Sequence, residues 1–157
     1  FCPAHALMAA GINVALGTDG AASNNDLDML GEMRTAALLG KAVCGDASAL
    51  PAHTILKMAT LNGAQALGID SDTGSLLPGK WADITAVCLD NIETQPIYDP
   101  VSQLVYASGR EQVTDVWVAG QHLLKERRLT TLDGNDILER TRDWRARIST
   151  AQDNNIR

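Results

Sequence analysis

The sharpest chemical feature of the sequence is Val14-Ala15-Leu16-Gly17-Thr18-Asp19-Gly20, in which a carboxylate follows closely on a short apolar run. Ile12 to Leu16, closed by glycine, has the pattern of a parallel strand buried on both faces that feeds a loop. In parallel α/β folds, helix N-termini and loops converge at the C-terminal ends of the strands, and ligands and metals bind there. A carboxylate in that place can ligate a metal through one oxygen and can take a proton from water. A carboxylate in a loop can equally cap a turn or the next helix, and the heptapeptide alone leaves both roles of Asp19 open.

The other reactive side chains point to structural roles. Cys2, Cys44 and Cys88 are odd in number and far apart, with no C-x-x-C pair, which is a poor disulfide framework and fits a reducing, cytoplasmic setting. The H-x-E and P-C-x-x-C pair of the zinc nucleobase deaminases is absent from the sequence. His5 on an Ala-rich helix, His53 in a helix N-terminal turn and His122 in a hairpin are expected at surface or packing positions. Ser23 lacks a G-x-S-x-G elbow and stands before two amides suited to ordering a loop. Trp81 and Trp117 fall in strand patterns and are expected in a sandwich core, and Lys80 beside Gly79 reads as a solvated turn residue.

The elements that must position Asp19 follow from periodicity. Pro3 to Ala10 reads as a helix ended by Gly11, followed by the strand Ile12 to Leu16. Asn24 or Asn25 can cap a helix from Asp26 to about Val43, with Leu27, Leu30, Met33, Ala37 and Leu38 at helical spacing. A further helix spans about Pro51 to Ala59, and Thr60 caps a short successor through Leu67, ended by Gly68. Beyond Gly68 to Lys80 the pattern becomes strand-rich. Trp81 to Leu89 is a strand, Asp99-Pro100 opens a helix through Ala107, and Val113 to Ala119 with His122 to Lys125 form a hairpin. Asp136 to about Ile148 is a helix with Arg140, Arg142, Arg145, Arg147 and Arg157 in or after it, a solvated basic face.

Composition narrows the partners. Of 157 residues 45% are hydrophobic and 20% charged, enough apolar material for a packed core. Thirteen basic against 19 acidic residues leave a net charge of −6, which gives no electrostatic drive toward nucleic acid or a membrane surface. No apolar run approaches the roughly 18 to 20 residues that cross a bilayer. The chain opens at Phe1 directly on an element-like segment, and the expectation is that it forms the back part of something longer.

Three ordered motifs carry a family resemblance over residues 1 to about 130. Gly17-Thr18-Asp19-Gly20-Ala21-Ala22-Ser23-Asn24-Asn25-Asp26-Leu27-Asp28-Met29 resembles the segment around the last metal ligand of the amidohydrolase superfamily. The similarity is to its branch of methylthioadenosine and S-adenosylhomocysteine deaminases and triazine hydrolases. Met58 to Gly68 resembles the helical link out of that family's barrel, and Gly74 to Ile84, with Pro78-Gly79-Lys80 and Ala82-Asp83-Ile84, resembles the return into its small β-domain. Asp99 to Tyr106 and Val113 to Gly120 continue the match.

The resemblance implies an α/β fold, the C-terminal part of a metal-dependent (β/α)8 TIM barrel plus part of a small β-sandwich domain. Residues 1–68 would be the last β/α unit and linking helices, 69–132 the C-terminal strands of the composite sandwich, and 133–157 a helix and tail. It implies that Asp19 is both the metal ligand and the catalytic proton acceptor, that the cofactor is zinc or another divalent metal, and that the remaining ligands lie in a missing N-terminal segment. The implied function is hydrolysis of a carbon–nitrogen bond, with ammonia released from an adenosine-type nucleoside such as methylthioadenosine or S-adenosylhomocysteine. The alternatives are a triazine-type chlorohydrolase or aminohydrolase, a guanine or cytosine deaminase, or a non-catalytic fragment or structural module. A homo-oligomer is compatible with the family, and the 157 residues alone are expected to be inactive.

Overall fold

A computed structural model describes the backbone of residues 1–155 and the side chains of residues 1–150. Arg157 lies outside the described residues. After a short α1 (Ala4–Ala9) and an extended stretch, the longest element of the first half is α2 (Met29–Cys44). Its N-cap is Asp28, whose carboxylate accepts from Leu30 N at 3.0 Å, whereas the sequence pointed to Asn24 or Asn25. Glu32 in the first turn and Lys41 in the last complement the helix dipole, and Gly45 ends the helix in the left-handed conformation at φ 63°.

Only part of the expected apolar stripe of α2 is buried. Met33 and Ala37 face the core and Leu30 packs against it, while Leu27 and Leu38 remain 60% and 55% exposed. Leu38 stands about 100° around the helix from Ala37, and Leu27 lies ahead of the first turn. Two short helices follow, α3 (Ala52–Met58) and α4 (Leu61–Leu67), as the sequence leads one to expect. Thr60 stands between them, but its hydroxyl donates back to Leu56 O at 2.7 Å instead of capping α4.

The core is helical and drawn from distant parts of the chain. It joins Met33 and Ala37 of α2, Leu50, and Ala52, Ile55 and Met58 of α3 to Val105 of α5 (Pro100–Tyr106). Asp99 caps α5 by accepting from Val101 N at 2.9 Å, with Pro100 in the first turn. Two cations of α2 secure the arrangement: Arg34 Nη2 donates to the buried Ser108 O at 2.6 Å, and Lys41 Nζ to Ala49 O at 2.7 Å.

The strand-rich part is one antiparallel sheet in the order β1 (Ile84–Val87), β2 (Val113–Val118), β3 (Gln121–Lys125), β4 (Arg128–Leu129). Ala119 and Gly120, at φ 49° and 79°, turn β2 into β3, and Glu126 and Arg127, at 47° and 63°, turn β3 into β4. Two successive positive-φ residues match the twist of flanking strands, as a two-residue hairpin requires. Trp117 pairs with Ile84 on one side and His122 on the other, and its ring stacks on His122 with centroids 4.3 Å apart.

Trp81 departs from expectation. It precedes the ladder and is 58% exposed, so it fills no core here. Lys80 is no solvated turn residue: it is half-buried, its Nζ donating to Thr73 O at 3.2 Å and to Asp70 O. Asp83 completes this junction, accepting from Ala119 N at 2.6 Å and from the Thr73 hydroxyl at 2.7 Å. The loop after α4 and the first hairpin turn are thereby tied through one carboxylate.

The last helix, α6 (Gly134–Asn155), keeps its described arginines exposed, in line with the solvated face expected. No helix among the described residues is long and apolar enough to cross a membrane.

Three variants check this architecture. Ile55→Ala, at a fully buried position, is expected to cost about 2–5 kcal/mol in urea unfolding. Trp117→Ala, at a half-buried one, is expected to cost less than the ~3–5 kcal/mol of a filled aromatic core site. The Ala119 N–H and Thr73 hydroxyl hold the Asp83 carboxyl below the ordinary aspartate range. A depressed folded pKa gives stability that is present above the unfolded value, about 4, and lost as pH falls through the folded one. Acid unfolding followed by circular dichroism should therefore be shallower below about pH 4 in Asp83→Asn than in the parent.

Candidate metal-ligand site

Residues 12–18 run extended, with Val14, Leu16 and Thr18 half-buried and Ala15, Gly17 and Asp19 exposed. The expected doubly buried strand is thus present as an extended segment but not as part of a ladder. The described residues place no second strand beside it, and Ile12 is 51% exposed. One face packs instead, Val14 and Leu16 resting against the helical core.

Helical corners take the place of strand partners. Leu16 N donates to Met58 O at 2.9 Å, at the end of α3. Asn13 Nδ2 donates to Asn62 O at 2.9 Å, and Asn62 Nδ2 returns a bond to Val14 O at 2.9 Å. The segment is therefore fixed three residues ahead of Asp19 by main-chain and amide bonds to the α3–α4 corner.

Asp19 itself adopts φ 60°, a left-handed conformation that Asp tolerates better than most residues. Its Oδ1 accepts from Gly20 N at 2.7 Å. That N–H is the main cause that holds its carboxyl below the usual aspartate range. The group is anionic and exposed at neutral pH, the state in which a carboxylate binds a cation.

The turn after it is closed by Ser23 N and Asn24 N, which both donate to Gly20 O, at 3.0 and 2.8 Å. Asn24 then spans the loop: its Nδ2 donates to Thr18 O at 2.9 Å and to Glu32 Oε1 at 3.1 Å, and its Oδ1 accepts from Asp26 N at 3.2 Å. The local pattern offers Asn24 or Asn25 as a helix cap and carries no signal for Asn13, Glu32 or Asn62. Amides that bridge segments far apart along the chain carry no local signature.

Asp19 fits a metal as one anionic oxygen ligand. A catalytic zinc takes about three protein ligands, and among the described residues no group of three or more His, Cys, Asp and Glu gathers to hold one. The histidines do not supplement it. His5 and His53 are exposed on α1 and α3, and His5 borders a shallow hollow with Met8, Ser48, Leu50 and Thr54. His122 is occupied in the sheet, where its Nε2 lies 2.9 Å from Asp115 Oδ1. The Ser23 hydroxyl donates to Gly20 O at 3.1 Å and so helps to order the loop, as the Asn24 amide after it does. Cys2 and Cys44 are free and exposed, and Cys88 is free and half-buried.

Known proteins share both sequence and fold with this chain. The model of the Amidohydrolase family matches residues 1–123. A 5-methylthioadenosine/S-adenosylhomocysteine deaminase of Teredinibacter turnerae is 52% identical over 94% of this chain and 33% of the relative. A 5'-deoxyadenosine deaminase of Methanosarcina mazei is 43% identical over 87% of this chain and 31% of the relative. Among solved structures, an adenosine deaminase from Xanthomonas campestris with bound zinc superimposes at a TM-score of 0.92 with 55% identity, over 96% of this chain and 34% of that one. The zinc complex of an atrazine chlorohydrolase from Arthrobacter aurescens gives 0.84 with 32% identity, over 91% of this chain and 32% of that one. The chain spans about a third of the length of the relatives it matches. On residues 1–123 and this shared architecture, the chain belongs to the amidohydrolase family.

Proposed function

We propose that this chain supplies the aspartate ligand and proton acceptor of a zinc-dependent deaminase acting on an adenosine-type nucleoside, such as methylthioadenosine or S-adenosylhomocysteine. The observation that carries the reading is the exposed, ionised Asp19 carboxylate at the end of the extended segment, in a chain 52% identical to a deaminase of those two substrates. The other ligands would come from a segment corresponding to the roughly two thirds of the relatives that the match leaves out. Zinc, when bound, lowers the pKa of water toward about 7 and so makes a nucleophile available at neutral pH. Asp19 would hold the ion through a carboxylate oxygen and accept the proton that water loses as its oxygen bonds to the purine C6. The same proton, returned to the departing amine, leaves as part of ammonia.

In this reading residues 1–68 close a (β/α)8 barrel, 69–132 add strands to a β-sandwich, and 133–157 form a helical tail. The cytoplasm suits the three free thiols. Triazine hydrolysis is the second reading, supported by the 32%-identical chlorohydrolase, and the 55% identity to the adenosine deaminase favours the first.

Reconstitution tests it. The chain joined to the segment of the Teredinibacter relative that it does not cover should release ammonia from methylthioadenosine. Asp19→Asn, which keeps the volume and loses the anion, should lower turnover by about 10²–10⁴-fold or more with an unmoved unfolding midpoint. Turnover near the parent value in Asp19→Asn rejects the assignment. Elemental analysis of the 157-residue chain alone should find well below one zinc per chain and no ammonia release. One tightly held zinc would require a site other than the one described.

A further inference from the structure

Resting on that reading of Asp19, we infer that Asn24 is a positioning residue for the metal ligand, with Glu32 as its anchor on α2. Asp19 sits at a left-handed φ in an exposed loop and its carboxylate hydrogen-bonds to the next peptide N–H, within that loop, so its direction is set by the peptide units around it. The unit preceding it is Thr18 C=O with Asp19 N–H, and Asn24 Nδ2 holds that carbonyl at 2.9 Å. The same nitrogen donates to Glu32 Oε1 at 3.1 Å, in the first turn of α2.

The orientation of the amide is unambiguous. A carbonyl and a carboxylate can only accept here, so the NH2 must face them, and the Oδ1 left over takes Asp26 N at 3.2 Å. Both NH2 hydrogens and the oxygen are used, and the group is half-buried. Helix capping does not account for this pattern, because Asp28 is the cap of α2. The amide instead transfers the rigidity of α2, whose Met33 and Ala37 are buried in the core, to the peptide that aims Asp19. Second partners of this kind orient ligands, and their loss typically weakens metal binding about 10- to 100-fold.

The test uses the reconstituted protein and zinc alone, with affinity read by competition against a chromophoric chelator and the cobalt-substituted protein read by its visible absorption. Asn24→Ala is expected to weaken zinc about 10- to 100-fold and shift the cobalt bands. Glu32→Ala should move both in the same direction by less, Glu32→Gln, which keeps an acceptor at the same reach, should recover most of the loss, and the Asn24→Ala/Glu32→Ala pair should be sub-additive.

Asp19→Asn runs alongside. If it weakens zinc while Asn24→Ala and Glu32→Ala leave affinity and cobalt bands as in the parent, the positioning inference is overturned and the ligand assignment stands. If Asp19→Asn itself leaves zinc binding unchanged, the ligand assignment falls first. Should Asn24→Ala fail to fold, Glu32→Ala decides alone, since it removes only the anchor. A fall in unfolding midpoint with unchanged zinc affinity in Glu32→Ala makes the contact merely structural and overturns the proposal.

Discussion

The seating of one extended segment on the face of a helical core is the constraint from which the rest follows. Val14 and Leu16 place their side chains against the buried helical core, and the Leu16 N–H satisfies itself on Met58 O at 2.9 Å. An extended backbone without a ladder partner leaves donors and acceptors that must find other company or water. Here the end of one helix and the start of the next provide it, with Asn62 supplying both a carbonyl and an amide. The position of Asp19 is therefore a property of the helix corner at residues 58–62, far along the chain, and not of its own loop alone.

Side-chain amides and single ions take over where regular hydrogen bonding stops. Asn13, Asn24 and Asn62 tie backbone to backbone around the candidate ligand. Asp83 and Lys80 do the equivalent at the junction with the sheet, where one carboxylate accepts from both Thr73 and Ala119. Such groups cost little at half-buried positions because each polar atom exchanges water for a protein partner of similar strength. Their value is directional, since they fix the relative placement of elements that apolar packing alone would leave free to slide.

Much of this was legible in the sequence, and the parts that were not share a cause. The helices ending at Gly11 and Gly68 and the Asp99-Pro100 start of α5 rest on neighbours close in sequence and stand where local chemistry puts them, while the β2–β3 turn forms at Ala119-Gly120, one residue ahead of the expected 120–121. Asp19 was singled out on its position after an apolar run, and the structure places it exposed and anionic. Burial of Trp81, the free turn assigned to Lys80 and the cap assigned to Asn24 or Asn25 failed because each depends on a partner the local pattern does not contain. Trp81 precedes the ladder, Lys80 meets carbonyls of the preceding loop, and Asn24 is drawn to Thr18 and Glu32. The strand at Ile12 to Leu16 is extended as expected, but a ladder needs a second strand, and helices hold this one.

Val105 gives the architecture a property of its own. The helix that carries it is encoded between β1 and β2, inside the strand-rich stretch, yet it is fully buried in the helical layer with Ile55 and Met58. The order of the chain is thus interleaved with the order of the layers. A family member cannot exchange its sheet as a cassette by recombining at the composition change near residues 68–80, because the donor piece would bring a foreign α5 into the host's helical packing. A crossover after Tyr106 keeps α5 with its helical partners but parts β1 from β2, its ladder neighbour, so no single cut in this stretch keeps both layers whole.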